Sequence, residues 1–151
     1  MRELNEKTAG KIQHPERVIQ FGEGNFLRAF VDWIIQKMNE KVGFNSSVVV
    51  VQPIDRGMVD MLNAQDCLYH VNLQGLDKGE KVDSLTRIDV ISRALNPYAD
   101  FSAFMELAEQ PEMRFVISNT TEAGITFDPA CKPEDAPASS YPGKLTQLLY
   151  H

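Results

Sequence analysis

The chain has 151 residues, of which 43% are hydrophobic and 24% are charged, so it holds enough apolar side chains for one core of ordinary size. Its formal net charge of -6 argues against a general nucleic-acid-binding protein, because the Lys and Arg residues are scattered and form no basic stripe. No apolar run approaches the roughly 20 residues that cross a bilayer, and residues 1–17 are polar, without the apolar stretch of a secretory signal. These features predict a cytoplasmic protein that binds neither nucleic acid nor membrane.

The cysteines and histidines form no pattern typical of a metal site or a disulfide. Cys67 and Cys131 lie far apart and belong to no CxxC pair. His14, His70 and His151 stand in unrelated contexts, where a single histidine is usually structural or solvated. We therefore predict no metal ligand and assign no catalytic residue.

The clearest predicted elements lie in the first third of the chain. Residues 17–22 predict a short buried strand. A helix follows from Phe26 and ends before Gly43, with apolar residues at three- and four-residue intervals and with Asp32 and Gln36 on its polar face. Residues 47–52 contain four consecutive valines, which is typical of a strand buried on both faces of a parallel sheet.

In the rest of the chain, predicted strands and helices alternate less regularly. The remaining predicted elements, in chain order, are a short helix at 55–65, a β-hairpin from 68–76 and 81–91, a helix from Asn96 and Pro97 to Gln110, a strand at 114–118, a proline-rich connection at 128–143 and a helix at 144–151. The last helix ends without a cap, which suggests a fragment of a longer protein. We expect its Leu145, Leu148 and Leu149 to lack their normal partners and to allow self-association.

These elements predict an α/β fold, a Rossmann-like dinucleotide-binding domain with a mainly parallel sheet and an inserted β-hairpin. The predicted divisions are a polar segment at 1–17, the dinucleotide-binding domain at 18–127, and a proline-rich connection with the start of a truncated helix at 128–151.

The segment FGEGNFLRAF joins the first strand to the first long helix, which is the context that a dinucleotide-binding turn requires. Gly22 suits a tight turn, and Gly24 lets a pyrophosphate approach the backbone amides at the helix start. The third glycine of the usual G-x-G-x-x-G is replaced by Leu27, which implies a wider crossing of helix and strand. We expect Arg28 to add positive charge nearby and Glu23 to point away from the phosphates. The alternative is a glycine turn that serves packing alone.

GEGNFLRAF resembles the amino-terminal signature of the long-chain polyol and mannitol dehydrogenase family. The resemblance continues through VVVVQPIDRG, YHVNLQGLDKGEKVDSLTRIDVISRAL and SNTTEAGI. It implies an oxidoreductase that uses NAD and acts on a small sugar alcohol or sugar acid, as in hexuronate breakdown. It also implies that the catalytic lysine, with its Asn and His partners, belongs to a carboxyl-terminal helical domain outside this chain. The chain alone would then be inactive.

Two alternatives stay open beside that hypothesis. Mannitol and fructuronate dehydrogenases of the same family would share the turn and differ in substrate. A Rossmann-like domain that senses a nucleotide without catalysis belongs to a different class of function.

The resemblance also implies which residues bind the cofactor. Its turn covers Ile19, Gln20, Phe21, Gly22, Glu23, Gly24, Asn25, Phe26, Leu27, Arg28, Ala29 and Phe30. The acid expected on the adenosine ribose would follow the second strand, where the sequence has Gln52, with Asp55 three residues later. Asp55 is our candidate, and its alternative role is a helix cap after Pro53.

A polar loop follows the last predicted strand of the sheet. Asn119, Thr120 and Thr121, followed by Glu122, occupy the position that suits the nicotinamide end of a dinucleotide, beyond the carboxyl end of a strand. The alternative is a polar turn with a threonine cap.

Overall fold

A computed structural model describes residues 4–151 of the chain. The strands are β1 (Glu16–Phe21), β2 (Ser47–Val51), β3 (Tyr69–Asp77), β4 (Glu80–Ile88), β5 (Ile91–Leu95) and β6 (Phe115–Ser118). The helices are α1 (Glu6–Ala9), α2 (Asp32–Val42), α3 (Val59–Ala64), α4 (Phe101–Met105) and α5 (Tyr141–Tyr150). A π turn at Leu27–Val31 leads into α2, and 3-10 turns occupy Glu106–Glu109 and Glu122–Ile125.

Four parallel strands form the central sheet in the order β5-β2-β1-β6, and β3 and β4 form a separate antiparallel hairpin. The sheet order corresponds to strands 3-2-1-4 of a Rossmann fold, with the hairpin inserted between β2 and β5. The predicted fold class is thus confirmed, including the inserted hairpin.

The valines of β2 explain why the sheet lies between two layers. Val48 and Val50 face one core cluster, with α2, α3 and the root of the hairpin, whereas Val49 and Val51 face the other, with α4 and α5. All four valines are 0% exposed. Since alternate residues of a strand point to opposite faces, a run of valines is suited to a strand covered on both sides. The prediction of a strand buried on both faces is confirmed.

The first long helix ends where the sequence predicts. Gly43 adopts a left-handed conformation (φ 64°, ψ 38°), and its N–H donates to Met38 O. The predicted polar face of this helix is not exposed to solvent throughout, because Asp32 is 0% exposed and Gln36 is 6% exposed. The hairpin covers this side of the helix, and the helical period alone gives no information on such an insertion.

Three predicted boundaries in the middle of the chain are wrong. The helix expected at 55–65 is confined to α3, and residues 53–58 form bends. The hairpin ends at Ile88, and Ile91 opens β5, a strand of the main sheet that pairs with β2. The helix expected from Asn96 begins at Phe101, where the Asp100 side chain accepts a hydrogen bond from Ala103 N at 2.9 Å.

The last helix begins earlier than predicted and is packed. Ser140 caps α5 by accepting a hydrogen bond from Gly143 N, so the first turn of the helix includes part of the expected proline-rich connection. Leu148 is 7% exposed, and Leu145 packs against the same core cluster, whereas Leu149 is 73% exposed. The expectation that Leu145 and Leu148 lack partners is therefore wrong.

Candidate dinucleotide-binding site

The turn after β1 requires glycine at its first position. Gly22 has φ +123°, a conformation that side chains rarely adopt, and its N–H donates to Val51 O at 3.0 Å. A Cβ at Gly22 would lie 3.1 Å from Leu27 Cδ1 and 3.2 Å from Asn119 Oδ1. The close approach shows that the loop after β6 lies directly against the turn.

Gly24 differs from Gly22, because nothing lies within 4 Å of the position that its Cβ would occupy. The residue is exposed, and the helix begins at the next residue, Asn25. The first N–H groups of a helix have no acceptor within the helix and attract anions. The structure therefore leaves open space at Gly24 where a phosphate can approach these amides.

Leu27 fills the space beneath the turn, where the usual motif has its third glycine. The side chain is 1% exposed, and the helix has a π turn from Leu27 to Val31. A π turn inside an α-helix often occurs at a functional site.

Arg28 folds back across the turn. Its Nε donates to Glu23 O at 2.8 Å, and its Nη2 donates to Asn25 Oδ1 at 2.6 Å. The guanidinium carbon lies 5.4 Å from the centre of the Tyr69 ring. Arg28 thus holds the turn in place and adds a fixed positive charge beside it.

Beneath the turn lies a buried polar cluster of Gln20, Asp32 and Tyr69. Gln20 Nε2 donates to Gly22 O at 3.2 Å and to Asp32 Oδ2 at 3.3 Å. The Tyr69 hydroxyl donates to Arg28 O at 2.8 Å and lies 3.2 Å from Asp32 Oδ2. Burial raises the pKa of Asp32 to about 7 and raises the pKa of Tyr69 above its ordinary value. The sequence analysis singled out only Gln20, and the helical pattern assigned Asp32 to solvent.

The end of β2 carries a carboxylate that the sequence analysis did not place there. Glu23 Oε1 and Gln52 Oε1 both lie against Gly57, so close that a Cβ at Gly57 would overlap both side chains. Gln52 is 2% exposed and its Nε2 donates to Ile54 O at 2.9 Å. In a Rossmann domain the acid that binds the ribose lies at the end of this strand.

Asp55 is exposed in the bent segment after β2. The helix cap suggested as its alternative role is wrong, because α3 begins at Val59, and Met58 precedes it without a side-chain cap. Asp55 thus remains accessible to a ligand.

A cavity of about 720 Å³ opens at the carboxyl ends of the strands. Gly22, Pro53 and the residues Asn119, Thr120 and Thr121 line it, together with the chain around Phe127 and Ser139 to Tyr141. Its volume falls within the range of small-molecule sites. The structure therefore brings the predicted nicotinamide loop and the glycine turn to the same cavity. Thr121 also precedes the 3-10 turn at Glu122–Ile125, without a side-chain cap.

The twelve residues of the predicted turn divide by exposure. Four of them, Ile19, Gln20, Phe21 and Leu27, are at most 3% exposed, so their side chains support the turn from within. Gly24, Asn25, Phe26, Ala29 and Phe30 are exposed, and the rings of Phe26 and Phe30 lie 5.4 Å apart. A ligand on this surface meets the backbone of the turn and this second group.

Residues 4–151 contain no group of three or more His, Cys, Asp or Glu side chains placed to hold a metal ion. Within the same residues, no helix is long and apolar enough to cross a membrane. Cys67 and Cys131 are free thiols, the first buried and the second half-buried.

Comparison with known proteins gives a match over most of the chain. The family model described as the mannitol dehydrogenase Rossmann domain matches residues 16–151. The altronate oxidoreductases of Phocaeicola vulgatus and Bacteroides thetaiotaomicron are each 82% identical to the chain over 151 residues, which is 100% of this chain and 32% of each relative. An altronate oxidoreductase of Escherichia coli is 51% identical, over 99% of this chain and 31% of the relative. The chain thus spans about a third of the length of these relatives.

Solved structures of similar fold include two polyol dehydrogenases. A ternary complex of Pseudomonas fluorescens mannitol 2-dehydrogenase with NAD and D-mannitol has a TM-score of 0.73 at 21% identity, over 91% of this chain and 31% of that chain. A substrate-free D-sorbitol dehydrogenase has a TM-score of 0.74 at 19% identity, over 99% of this chain and 36% of that chain. At these identities the similarity establishes the fold.

Proposed function

The chain belongs to the mannitol dehydrogenase family, and we propose that it is the NAD-binding part of an enzyme that converts D-tagaturonate and NADH into D-altronate and NAD, and the reverse. The choice of substrate is supported by the 82% identity to two altronate oxidoreductases over the whole chain. The observation that carries the proposal is the glycine turn itself, in which the space at Gly24 is open and the helix amides beside it are free to bind an anion.

The turn, the end of β2 and the loop after β6 then each bind one part of NAD. The pyrophosphate binds the backbone of residues 22–25, where the helix terminus favours negative charge and Arg28 adds a cation. The adenosine ribose lies at the end of β2, where Asp55 and Glu23 are its candidate carboxylates. The nicotinamide lies at Asn119, Thr120 and Thr121, beyond the carboxyl end of β6.

Bound NAD would supply the acceptor for the hydride of the carbinol carbon of altronate. The hydroxyl proton must pass to a base within hydrogen-bond reach. Asp128 is the one carboxylate that lines the described cavity, and its oxygens accept hydrogen bonds from Ala130 N and Ser139 Oγ. We therefore assign the base and the sugar-acid pocket to a carboxyl-terminal domain, as the family resemblance implies.

We also propose that the enzyme acts in the cytoplasm. Both cysteines are free thiols, as expected in a reducing compartment. In the proposed function, the full-length enzyme binds a sugar acid as its small-molecule substrate.

Titration of the chain with NADH tests the proposal, with Gly24→Val as the variant. The valine has room in the fold but occupies the space of the pyrophosphate, so we expect binding to be lost while the melting temperature is kept. Gly75→Val is a matched control, because Gly75 lies on β3 and also has nothing within 4 Å of its Cβ position. Wild-type affinity for NADH in Gly24→Val would show that the turn does not bind the cofactor.

The substrate is tested on the full-length enzyme. Activity with altronate and tagaturonate, and little with mannitol or fructuronate, is the expected result. A preference for mannitol or fructuronate would show that the proposed substrate is wrong, without affecting the proposed cofactor site. NADH binding without any turnover would favour a nucleotide sensor.

A further inference from the structure

The polar cluster beneath the turn is short of one hydrogen-bond donor. Gln20 Nε2 has two hydrogens, which are used by Gly22 O and Asp32 Oδ2. The Tyr69 hydroxyl has one, and its shorter contact is with Arg28 O. Gln20 Oε1 and Asp32 Oδ1 are buried and receive no hydrogen bond. Buried polar atoms are nearly always paired, because an unpaired one keeps the full cost of its desolvation.

A proton on Asp32 would supply the missing donor. A carboxylic acid and an amide can pair in a ring, in which the amide N–H donates to one carboxyl oxygen and the carboxyl O–H donates to the amide oxygen. The contact from Gln20 Nε2 to Asp32 Oδ2 is one half of such a ring. The two unpaired atoms, Gln20 Oε1 and Asp32 Oδ1, are the groups that the other half requires.

Tyr69 supplies no donor for the two unpaired oxygens, because its single hydrogen has two acceptors already, Arg28 O at 2.8 Å and Asp32 Oδ2 at 3.2 Å. Asp32 is also 0% exposed, so an ionised form would have no water to solvate it.

The cluster is connected to the ligand side through the peptide bond after Gly22. Gln20 holds Gly22 O on the buried side of the turn. In a trans peptide the C=O and the following N–H point in opposite directions, so this bond turns the N–H of Glu23 outward. The orientation of one amide at the phosphate site thus depends on Gln20, and Gln20 is held by Asp32.

We propose that Asp32 is a positioning residue that is protonated when the dinucleotide binds, and that its ionisation weakens the binding. The inference rests on the proposed function, because it assigns a role beneath the NAD turn. Ionisation breaks the ring with Gln20, and it places a buried negative charge beneath the pyrophosphate, where the surrounding protein screens it less than water does.

Among the charged and titratable groups around Asp32, we expect Asp32 itself to change its charge near neutral pH. Arg28, on the same helix, stays a cation, and burial raises the pKa of Asp32 to about 7. From the hairpin side, burial raises the pKa of Tyr69 above its ordinary value and that of Cys67 to about 11. The next contact along α2 is made by Gln36, whose Oε1 accepts a hydrogen bond from Asp89 N, and Asp89 is paired with Arg87 at 3.0 Å.

The first experiment measures the affinity of the chain for NADH between about pH 6 and about pH 9. We expect the wild type to bind about fivefold more weakly at the alkaline end, and Asp32→Asn, which cannot ionise, to lose this dependence. Asp89→Asn is the matched control, since it changes another buried carboxylate of the same chain and should keep the dependence of the wild type. A wild-type affinity that is independent of pH, or a dependence kept in Asp32→Asn, would overturn the inference.

Tyr69→Phe adds a directional test. The Tyr69 hydroxyl lowers the pKa of Asp32 by its hydrogen bond, so its removal should move the midpoint of the affinity change to higher pH. A purely structural loss would weaken binding equally at every pH and would contradict the inference.

Infrared spectroscopy distinguishes a failure of the proposed function from a failure of the role proposed for Asp32. The C=O stretch of a protonated buried carboxyl should appear at low pH, disappear at high pH and be absent from Asp32→Asn. If this band is present but NADH binds at no pH, the proposed function fails and the role in binding fails with it. If NADH binds and the band is missing at every pH, only the inference about Asp32 is wrong.

Discussion

Gly22 and Gly24 are glycines for different physical reasons. At Gly22 the backbone itself excludes a side chain, because φ is +123° and the space is filled by Leu27 and Asn119. At Gly24 the fold excludes nothing, since the Cβ position is open. A substitution at Gly22 should therefore destabilise the protein, whereas one at Gly24 should affect only what binds there.

The two candidates for the proposed ribose-binding carboxylate can be told apart by comparing Glu23→Gln with Asp55→Asn. A carboxylate at this position favours NADH over NADPH, because it binds the ribose hydroxyls and repels a 2'-phosphate. We expect the wild type to prefer NADH and the relevant variant to lose roughly tenfold in that preference, about the effect of a hydrogen bond to a charged group. Titration of both variants with NADH and NADPH makes the measurement. Tighter binding of NADPH by the wild type would contradict the assignment of either acid, and would instead implicate Arg56.

The stability of the protein should depend on pH through Asp32. Because the folded-state pKa of about 7 lies above the ordinary value of 3.8, the folded state binds the proton more tightly. Its contribution is therefore complete below about pH 4 and is lost as the pH rises through about 7. Between pH 5 and pH 8 this loss is roughly 2–3 kcal/mol of the free energy of unfolding.

Urea unfolding at both pH values measures that loss. Asp32→Asn should lose less stability than the wild type over the same pH interval, and Asp89→Asn should follow the wild type. Equal pH dependence in the wild type and Asp32→Asn would show that the Asp32 carboxyl has an ordinary pKa.

Sequence reasoning found the turn because glycine, strand and helix signals stand next to one another in the chain. It missed the cluster below the turn, because Tyr69 comes from the hairpin, 41 positions after Arg28. The helical period assigned Asp32 to solvent for the same reason, since only the folded hairpin buries that side of the helix. Glu23 was predicted only in part. Its backbone position was predicted, but the direction of its side chain towards Gly57 depends on a loop of the next strand unit.

At the scale of elements, prediction succeeded where burial is imposed on a whole segment. The valines of β2 fit only a strand covered on both sides, and Gly43 fits a helix end. It failed at β5, because Val90 and Ile91 continue the apolar pattern of the hairpin and no turn residue marks the change of sheet. It failed at the start of α5, because Pro142 and Gly143 usually indicate a loop, although proline is favoured in the first turn of a helix.

The packing of α5 can be tested with two neighbouring leucines. Leu148→Ala should lower the free energy of unfolding by about 2–5 kcal/mol, because the side chain is 7% exposed in the core cluster. Leu149→Ala, at 73% exposure, is the matched control and should change it by less than about 0.5 kcal/mol. Chemical denaturation gives both values. Similar effects of the two substitutions would mean that α5 does not pack on the sheet as described.

At the scale of the whole molecule, the chain covers about a third of the length of its curated relatives. Its cavity at the carboxyl ends of the strands offers backbone, amide and hydroxyl groups and the carboxylate of Asp128. In the proposed function these groups bind and orient a cofactor, whereas the groups that hold the sugar acid and take up its proton belong to another part of the enzyme. Binding and catalysis should thus be separable in this protein.

We expect residues 1–151, assayed alone with saturating NADH, to reduce no tagaturonate while still binding the cofactor. Positioning of the reacting carbon accounts for roughly 7–11 kcal/mol of barrier lowering in well-oriented reactions, and a proton donor is needed as well. The measurement is NADH consumption by the purified chain, with the full-length enzyme as the positive control. Turnover by the chain that is lost in Gly24→Val would place catalytic residues within these positions. Light scattering on the same sample tests the expected self-association, for which Leu149 is the exposed leucine of α5.

The position of β1 in the sheet sets the order in which a ribosome can complete the site. β1 is synthesised before β2 and β6, yet it lies between them in the sheet, and the loop after β6 closes against Gly22. At about 5–20 residues per second, β6 follows β1 only after several seconds of translation. During that interval the strand that carries the glycine turn lacks its neighbour on one edge, so a segment that is made early reaches its final environment only after β6 has been made.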